Sequence, residues 1–476
     1  MTQEKFKEII RYIGECIFGS EFEGSTYVVG GAVRDFVMGN EIKDIDLVIS
    51  LPDGGMKLAE FLHKEKVLTR PPVVYPTYGT AMFKFKKFNQ DEIECVHTRG
   101  EQYHDKNSRN PETCFASIEE DCIRRDLTMN ALYMNVTTGD ILDLTGKGMD
   151  DIKNKICRVT NENPDIVFDD DSLRILRVIR FATKYNFWIE DETMKSMIKN
   201  VDRLSIITQE RITDEFNKMM MTDDPSRALC LLGYTGAMKY VVPEFIETYN
   251  MGQNAYHFGT VWDHTIGVVE NNAKACRKGE LKAYLPVRLA CAFHDLGKIK
   301  TRTVGEDGRV HFYDHETVGA DLVREIMTKM RYPNDVIDET CFYIRNHMLT
   351  KSWGDDLSHM KIKTLRKLMY KCKTDERFMR LMEVIDADNN AHKKEHCMPN
   401  QTKNIASMVI NEINHNTSMF GYQLPIDGNE VMEVLGIEPG PKVKKYLDHC
   451  MKLAFNNPNI TKEQCIKEIK HFKLNE

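Results

Sequence analysis

The stretch from Tyr27 to Ser50, YVVGGAVRDFVMGNEIKDIDLVIS, constrains this chain more than any other, because it asks for a strand, a tight turn and a helix start in immediate succession. The apolar run Tyr27, Val28, Val29 meets Gly30 and Gly31, and helix-like spacing then opens with Arg34 and Asp35. A glycine pair lets the backbone come close to a phosphate, and the N–H groups at a helix N-terminus favour anionic oxygen. Arg34 offers a planar donor fork to the same anion. Asp44, Ile45 and Asp46 follow and lead into Leu47, Val48 and Ile49. Side chains two apart on a strand share a face, so both carboxylates are expected to hold one or two divalent metal ions. Two metals clamping the attacking and departing oxygens are a standard route to phosphoryl or nucleotidyl transfer. Singly these features are ordinary: a glycine pair after a strand is usually a turn, and D-x-D is common on solvated edges. Their combination, with Arg34 and Asp35 between, is far more specific.

At 476 residues the chain is too long for one ordinary core, and roughly three or four domains are expected. Hydrophobic and charged contents of 42% and 29% are those of a soluble globular protein. No run of about eighteen apolar residues occurs, and the N-terminus MTQEKFKEII lacks a basic leader with an apolar core. A cytoplasmic protein without membrane partners is expected. Thirteen cysteines are scattered without a C-x-x-C pair, which suggests reduced thiols rather than a zinc site or disulfide frame. A net charge of −7 argues against binding nucleic acid through overall charge. Local basic stretches would have to do it, and two stand out: Lys361 to Arg380 and the tail from Lys442 onward. An ordinary solvated helix face explains either equally simply.

The segment GGAVRD followed by DID resembles the first motif of the class II tRNA nucleotidyltransferases and bacterial poly(A) polymerases, G-G-x-V-R-D and then D-x-D. The resemblance implies that Asp44 and Asp46 are catalytic metal ligands for Mg²⁺ and that Gly30, Gly31 and Arg34 bind nucleotide. Around this motif, apolar spacing predicts a helix near residues 4 to 18 and another over Met56 to Lys66. Strands are predicted over Thr80 to Phe85 and Glu92 to His97, joined by a turn near Asn89 to Asp91. Glu94, on the second strand, is either a third carboxylate near the metals or a solvated strand residue. Arg99 to Ile118, polar and aperiodic, reads as a mobile loop beside the site.

RRDLTMNAL, Arg124 to Leu132, is a dense set of donors and acceptors suited to ribose and triphosphate. It resembles the family's R-R-D-F-T-x-N-A, with Leu127 for phenylalanine, and so implies nucleotide contacts from Arg125, Asp126 and Asn130. Phe168 to Phe187 reads as one helix that places Asp171 and Arg174 on a shared face, where a simple salt bridge is the plain expectation. By resemblance to E-D-x-x-R, with Asp170 for glutamate, the same pair would read the Watson–Crick edge of the incoming base. QERITDEF resembles E-R-x-x-x-E through Glu210, Arg211 and Glu215, implying a helix that braces the base-reading one.

Beyond Asn254 the pattern changes to AYHFGTVWDHT, LACAFHDLGK, HFYDHE, YIRNHM and VIDADNNAH. His264, His294, Asp295 and Asp388 have the order of an HD-type phosphohydrolase, and His315 and His347 would complete a second position for a divalent transition metal or Mg²⁺. Pro425 to Leu447 resembles the family's P-G-P tail segment, which would set Lys442, Lys444 and Lys445 beside a helix N-terminus as an RNA contact.

The expected fold is α+β. A small mixed α/β nucleotidyltransferase head over 1–148 precedes an all-α neck over 149–245, an HD domain over 246–397 and a helical tail over 398–476. The expected function is template-independent addition of CCA, or part of it, to tRNA from CTP and ATP. Poly(A) addition by the same head remains a rival, and a metal-dependent phosphohydrolase or 2′,3′-cyclic phosphodiesterase is a rival of another class.

Overall fold

Phe6, Ile9, Ile10, Ile13 and Ile17 line one side of helix α1 (Gln3–Ile17), whose first turn is capped by Thr2, and that side is buried against a mixed sheet. In the computed structural model residues 1–88, 92–102, 112–253, 257 and 259–472 are described, and the chain divides into two units, Met1–Pro243 and Glu244–Glu476.

The first unit continues with β1 (Thr26–Val29), α2 (Gly31–Val37), β2 (Asp46–Ile49), α3 (Gly54–Lys64), β3 (Val73–Tyr75), β4 (Thr80–Phe83) and β5 (Ile93–His97). A short hairpin of β6 (Arg99–Gln102) and β7 (Glu112–Phe115) precedes α4 (Ile118–Ile123), β8 (Leu132–Asn135) and β9 (Ile141–Asp143). Seven strands form one sheet in the order β3-β4-β5-β2-β1-β8-β9. Only β2 and β5 run parallel in it among the pairs formed; the rest are antiparallel. Val29 lies opposite Asp46, and Asp46 opposite Glu94, so the turn after β1 and two acidic residues meet at one end of the sheet. Gly30 makes that turn at φ +68°, where a side chain would be strained.

Helices follow: α5 (Gly148–Asn154), α6 (Pro164–Asp170), α7 (Leu173–Tyr185), α8 (Asp191–Asn200) and α9 (Gln209–Met220). Three expectations need correction. Asp44 is not on the strand with Asp46; β2 begins at Asp46, and Asp44 sits in the irregular approach to it. Phe168 to Phe187 is not one helix. Asp171 adopts extended backbone, φ −145° and ψ 102°, and its Oδ1 accepts from the Leu173 N–H at 3.0 Å, a local bond that stops α6 and starts α7. The segment from Arg99 to Ile118 contains paired strands at both flanks rather than a plain loop, because Arg99 to Gln102 can pair with Glu112 to Phe115. Residues 103–111 of that segment, and the turn expected over Asn89 to Asp91, lie outside the described residues.

The second unit is helical apart from a two-stranded hairpin, Arg302–Val304 with Val310–Phe312. Its basic stretch after Lys361 is only in part a surface: Arg366 is buried, pairing with Glu412 at 2.6 Å and donating to the Phe455 and Asn456 carbonyls. Arg377 and Arg380 pair with Glu339 and Glu383. In the tail, the helix Pro441–Ala454 begins after Gly440, and Lys442, Lys444 and Lys445 are exposed on its first turns. No described helix is long and apolar enough to cross a membrane.

Candidate active site

A cleft of about 1080 Å³ in the first unit opens at the end of the sheet where β1, β2 and β5 meet. Gly30, Gly31, Asp44, Asp46 and Glu94 line it, facing Arg125, Asp126, Asn130, Asp171 and Arg174. The two aspartates therefore share one space although they do not share a strand. Enclosure by the cleft walls, with Glu94 and Asp44 alongside, pushes the Asp46 carboxyl up to about 6, against the pull of Arg125. Partial enclosure and like charges nearby both disfavour the ionised form of a carboxyl. The donor set is all oxygen, and Mg²⁺ characteristically takes one or two carboxylates and leaves its other positions to water and phosphate. Asp44 and Asp46 fit such an ion, with Glu94 beside them.

The arginine pair is aimed by a residue that carries no motif signature in itself. Asp121 of α4 is fully buried and accepts from Arg124 Nη2 at 2.8 Å, from Arg125 Nη2 at 2.8 Å and from Tyr133 Oη at 2.7 Å. Burial alone would raise its pKa, but Arg125 and Arg124 outweigh this and hold the carboxyl well below the usual carboxylate range. Arg125 also lies over the Tyr133 ring, 5.1 Å from its centroid. A carboxylate four residues before Arg125, one helical turn away, was the available sequence signal.

Arg34 and Asp126, expected as direct nucleotide ligands, line the cleft and also have partners within the protein. Arg34 is buried and donates through Nε and Nη2 to Asp35 at 3.0 and 2.9 Å, and through Nη1 to Asn130 at 2.6 Å. Asp126 accepts from the Leu127 N–H, from Asn130 Nδ2 at 3.0 Å and from Arg177 Nε at 2.8 Å. Burial would raise Asp126; Arg177 and Asn130 outweigh it and bring the carboxyl down to about 2. Arg177, three residues beyond Arg174, was missed in the sequence.

The expected salt bridge between Asp171 and Arg174 is not the contact made. Asp171 Oδ2 accepts from Arg211 Nη2 at 2.8 Å, while Arg174 Nη1 donates to the Val167 carbonyl at 3.2 Å and lies 3.9 Å from Asp170. Both side chains still line the cleft. Glu215 pairs not with Arg211 on its own helix but with Arg180 of α7 at 3.1 Å, so α9 braces α7 through Glu215 and the break before α7 through Arg211. Glu210 is exposed in the first turn of α9 and does not line the cleft.

In the second unit, His264, His294, Asp295, His315, His347 and Asp388 are all buried and converge. His264 Nε2 lies 3.1 Å from Asp388 Oδ1 and 3.3 Å from His294 Nε2; Asp295 reaches His294 at 3.2 Å through one oxygen and His315 at 3.4 Å through the other. Two triads meet at Asp295: His264, His294 and Asp295, and Asp295, His315 and His347. Gly297 makes this possible, since a Cβ there would stand 2.0 Å from the His315 carbonyl oxygen. The Nδ1 atoms of His264, His294, His315 and His347 each face a backbone carbonyl, of Ala391, Cys291, Phe312 and Ile344. A carbonyl can only accept, so Nδ1 carries a proton and Nε2 is the ring atom turned toward the carboxylates; on losing its Nε2 proton each ring would offer that lone pair to a metal. Asp295 and Asp388 stay ionised: burial would raise both, but His294 and Lys298 outweigh it at Asp295, and Lys351 and His264 at Asp388. Mixed imidazole and carboxylate donors suit a divalent transition metal. Lys298 and Lys351, 2.6 and 2.9 Å from these carboxylates, were not anticipated.

Three family matches run along the chain: the poly A polymerase head domain over residues 26–158, the probable RNA and SrmB-binding site of polymerase A over 186–248, and the HD domain over 261–388. Among curated relatives, the multifunctional CCA protein of Neisseria meningitidis serogroup B is 29% identical over 380 residues, covering 78% of this chain and 84% of its own. That of Chromobacterium violaceum is 29% identical over 382 residues, covering 76% and 82%. Among solved structures, the Bacillus stearothermophilus CCA-adding enzyme in complex with CTP shares the fold, with a TM-score of 0.67, 21% identity and coverage of 98% and 97%. The Thermotoga maritima CCA-adding enzyme complexed with tRNA shares it at a TM-score of 0.60, 18% identity and coverage of 98% and 94%. A poly A polymerase head domain, an RNA-binding region and an HD domain are thus matched in that order along this chain, which is similar over more than three quarters of its length to multifunctional CCA proteins.

Proposed function

We propose that this protein is a template-independent tRNA nucleotidyltransferase that adds CCA, or part of it, to tRNA 3′ ends from CTP and ATP. The observation that carries the reading is the single cleft in which Asp44 and Asp46 face the Gly30–Gly31 turn, Arg125 and the Asp171–Arg174 pair. Similarity to CCA proteins over more than three quarters of the chain favours tRNA as acceptor. The backbone at Gly30 and Gly31 and the side chain of Arg125 hold the triphosphate, and Asp171 and Arg174 meet the edge of the base. The carboxylate offers an acceptor to an exocyclic amino group, and the guanidinium donates to a ring nitrogen or carbonyl; cytosine and adenine both present that pair. Asp44 and Asp46, with Glu94 alongside, would hold Mg²⁺, which would supply acidification of the RNA 3′-hydroxyl and charge neutralisation at the α-phosphate. The 3′-oxygen bonds to the α-phosphorus, the α–β bridge breaks and pyrophosphate leaves. Positioning supplies much of the acceleration, so no covalent enzyme intermediate is needed.

Purified protein given tRNA lacking its last three nucleotides tests this. CTP plus ATP should give a discrete product three nucleotides longer. A long homopolymer from ATP alone would identify a poly(A) polymerase instead.

The buried cluster in the second unit favours a second activity, metal-dependent phosphomonoester or 2′,3′-cyclic phosphate hydrolysis, because its inward-facing Nε2 atoms and ionised carboxylates form a ready ligand set. Hydrolysis that survives Asp44→Ala and is lost in His294→Ala would assign it to that cluster. Domain limits near 148, 245 and 397 and a tRNA contact through the Lys442–Lys445 turn belong to the same reading. Thirteen free cysteines suit a reducing, cytoplasmic location.

A further inference from the structure

The base-reading residues and the phosphate turn come from different parts of the chain, yet a nucleotide must touch both at a separation its ribose fixes. The structure joins them by a continuous polar circuit, buried at Arg34, Asp35, Asp126 and Asn130 and half-buried at Arg177 and Tyr185. On α2, Asp35 takes both Nε and Nη2 of Arg34, whose Nη1 goes to Asn130. Asn130 Nδ2 donates to Asp126, and the other oxygen of Asp126 is held by Arg177 of α7 through Nε at 2.8 Å and Nη2 at 2.6 Å. The circuit closes at the far end of the same helix, where the Tyr185 hydroxyl donates to Asp35 at 3.0 Å. Arg34 lies between, 5.2 Å from the Phe181 ring and 4.8 Å from the Tyr185 ring.

Arg177 and Tyr185 are two helical turns apart, about 12 Å along the axis. Two tethers at that spacing constrain the tilt of α7 relative to the phosphate turn as well as its position, in addition to the Arg180–Glu215 brace to α9. The N-terminal end of the helix carries Arg174, with Asp171 just before it. We infer that Arg177 and Tyr185 are positioning residues that hold the base reader in register with the Gly30–Gly31 phosphate turn. This rests on the nucleotidyltransferase reading of the cleft. Misplacement of a bound substrate by about 1 Å can cost about 100-fold in rate, so a helix freed at one end should lose rate and base choice together. The triphosphate, held elsewhere, should keep its affinity.

The test uses the full-length protein with Tyr185→Phe, which keeps the ring against Arg34 and removes only the hydroxyl, and Arg177→Lys, which keeps the charge and removes the fork. Three quantities are measured: the ratio of GTP to CTP dissociation constants for the resting protein, kcat and KM for tRNA extension, and the thermal midpoint. Each variant should lower the dissociation-constant ratio by about 5-fold and kcat by about 10-fold, in line with one lost hydrogen bond. KM for CTP should stay within about 2-fold and the midpoint nearly unchanged. Unchanged selectivity in both variants overturns the inference. So does a joint fall of midpoint, CTP affinity and rate, which would mark the contacts as fold support only. If the unaltered protein binds CTP selectively but extends no RNA, the catalytic reading fails, and the dissociation-constant ratio alone decides whether the tethers set register.

Discussion

Asp44, Asp46 and Glu94 stand on strand ends and an irregular approach, open to a cleft of about 1080 Å³ and faced by arginines. The histidines and aspartates of the second unit sit within or at the ends of helices, all buried and packed against each other. In the cleft, partial burial together with the neighbouring Glu94 and Asp44 raises the Asp46 pKa to about 6. In the buried cluster, the carboxylates are held ionised by imidazoles and lysines of the protein itself. The contrast teaches what each site lacks. The cleft needs a substrate to complete the shell of its cation, as suits a reaction on a large anionic pair of reactants. The cluster carries nearly a full ligand set of its own.

The contrast breaks first at the carboxylates. Asp44→Ala or Asp46→Ala should reduce nucleotide incorporation by about 1000-fold while leaving the transition-metal content of the purified protein unchanged. A variant that keeps near-normal incorporation would remove Asp44 and Asp46 from the metal role. The mirror experiment is His294→Ala with Asp295→Ala: metal content measured by mass spectrometry should fall, and incorporation should persist. Loss of incorporation there would mean that the two centres are not separable.

A smaller effect sharpens the account of the cleft. Asp171→Ala with Arg174→Ala should cost about 100-fold in discrimination between CTP and GTP, more than it costs in transfer of whichever nucleotide is bound. Equal loss in both would assign the pair to general binding. The smallest effect is on stability. Asp126 has a folded pKa of about 2 against an ordinary 3.8. A depressed carboxyl contributes stability that is fully present above the ordinary value and is lost as pH falls toward the folded value. About 2 kcal/mol should therefore disappear between pH 4 and 2. Acid unfolding of Asp126→Asn, followed by circular dichroism, should show a shallower pH dependence across that window.

The strand, glycine turn and helix from Tyr27 onward, α1, and the two strands flanking the acidic end were legible because each rests on local periodicity or on a turn that only glycine tolerates well. The residue types of both centres were legible for a similar reason: metal and phosphate chemistry admits few side chains. What each residue touches was not. Asp171 and Arg174 looked like partners because they are three apart, yet a side-chain cap at Leu173 breaks the helix and hands Asp171 to Arg211, forty positions along the chain. Arg34 looked free for phosphate and is claimed by Asp35 and Asn130. Arg177, Lys298 and Lys351 carry no pattern that separates them from surface charges until the fold sets each beside a carboxylate largely withdrawn from water. By itself, then, the sequence determined the kinds of chemistry and the order of the parts. The choice among possible partners for each charge fell to the tertiary structure, because desolvation is a property of the folded surroundings and not of neighbours along the chain.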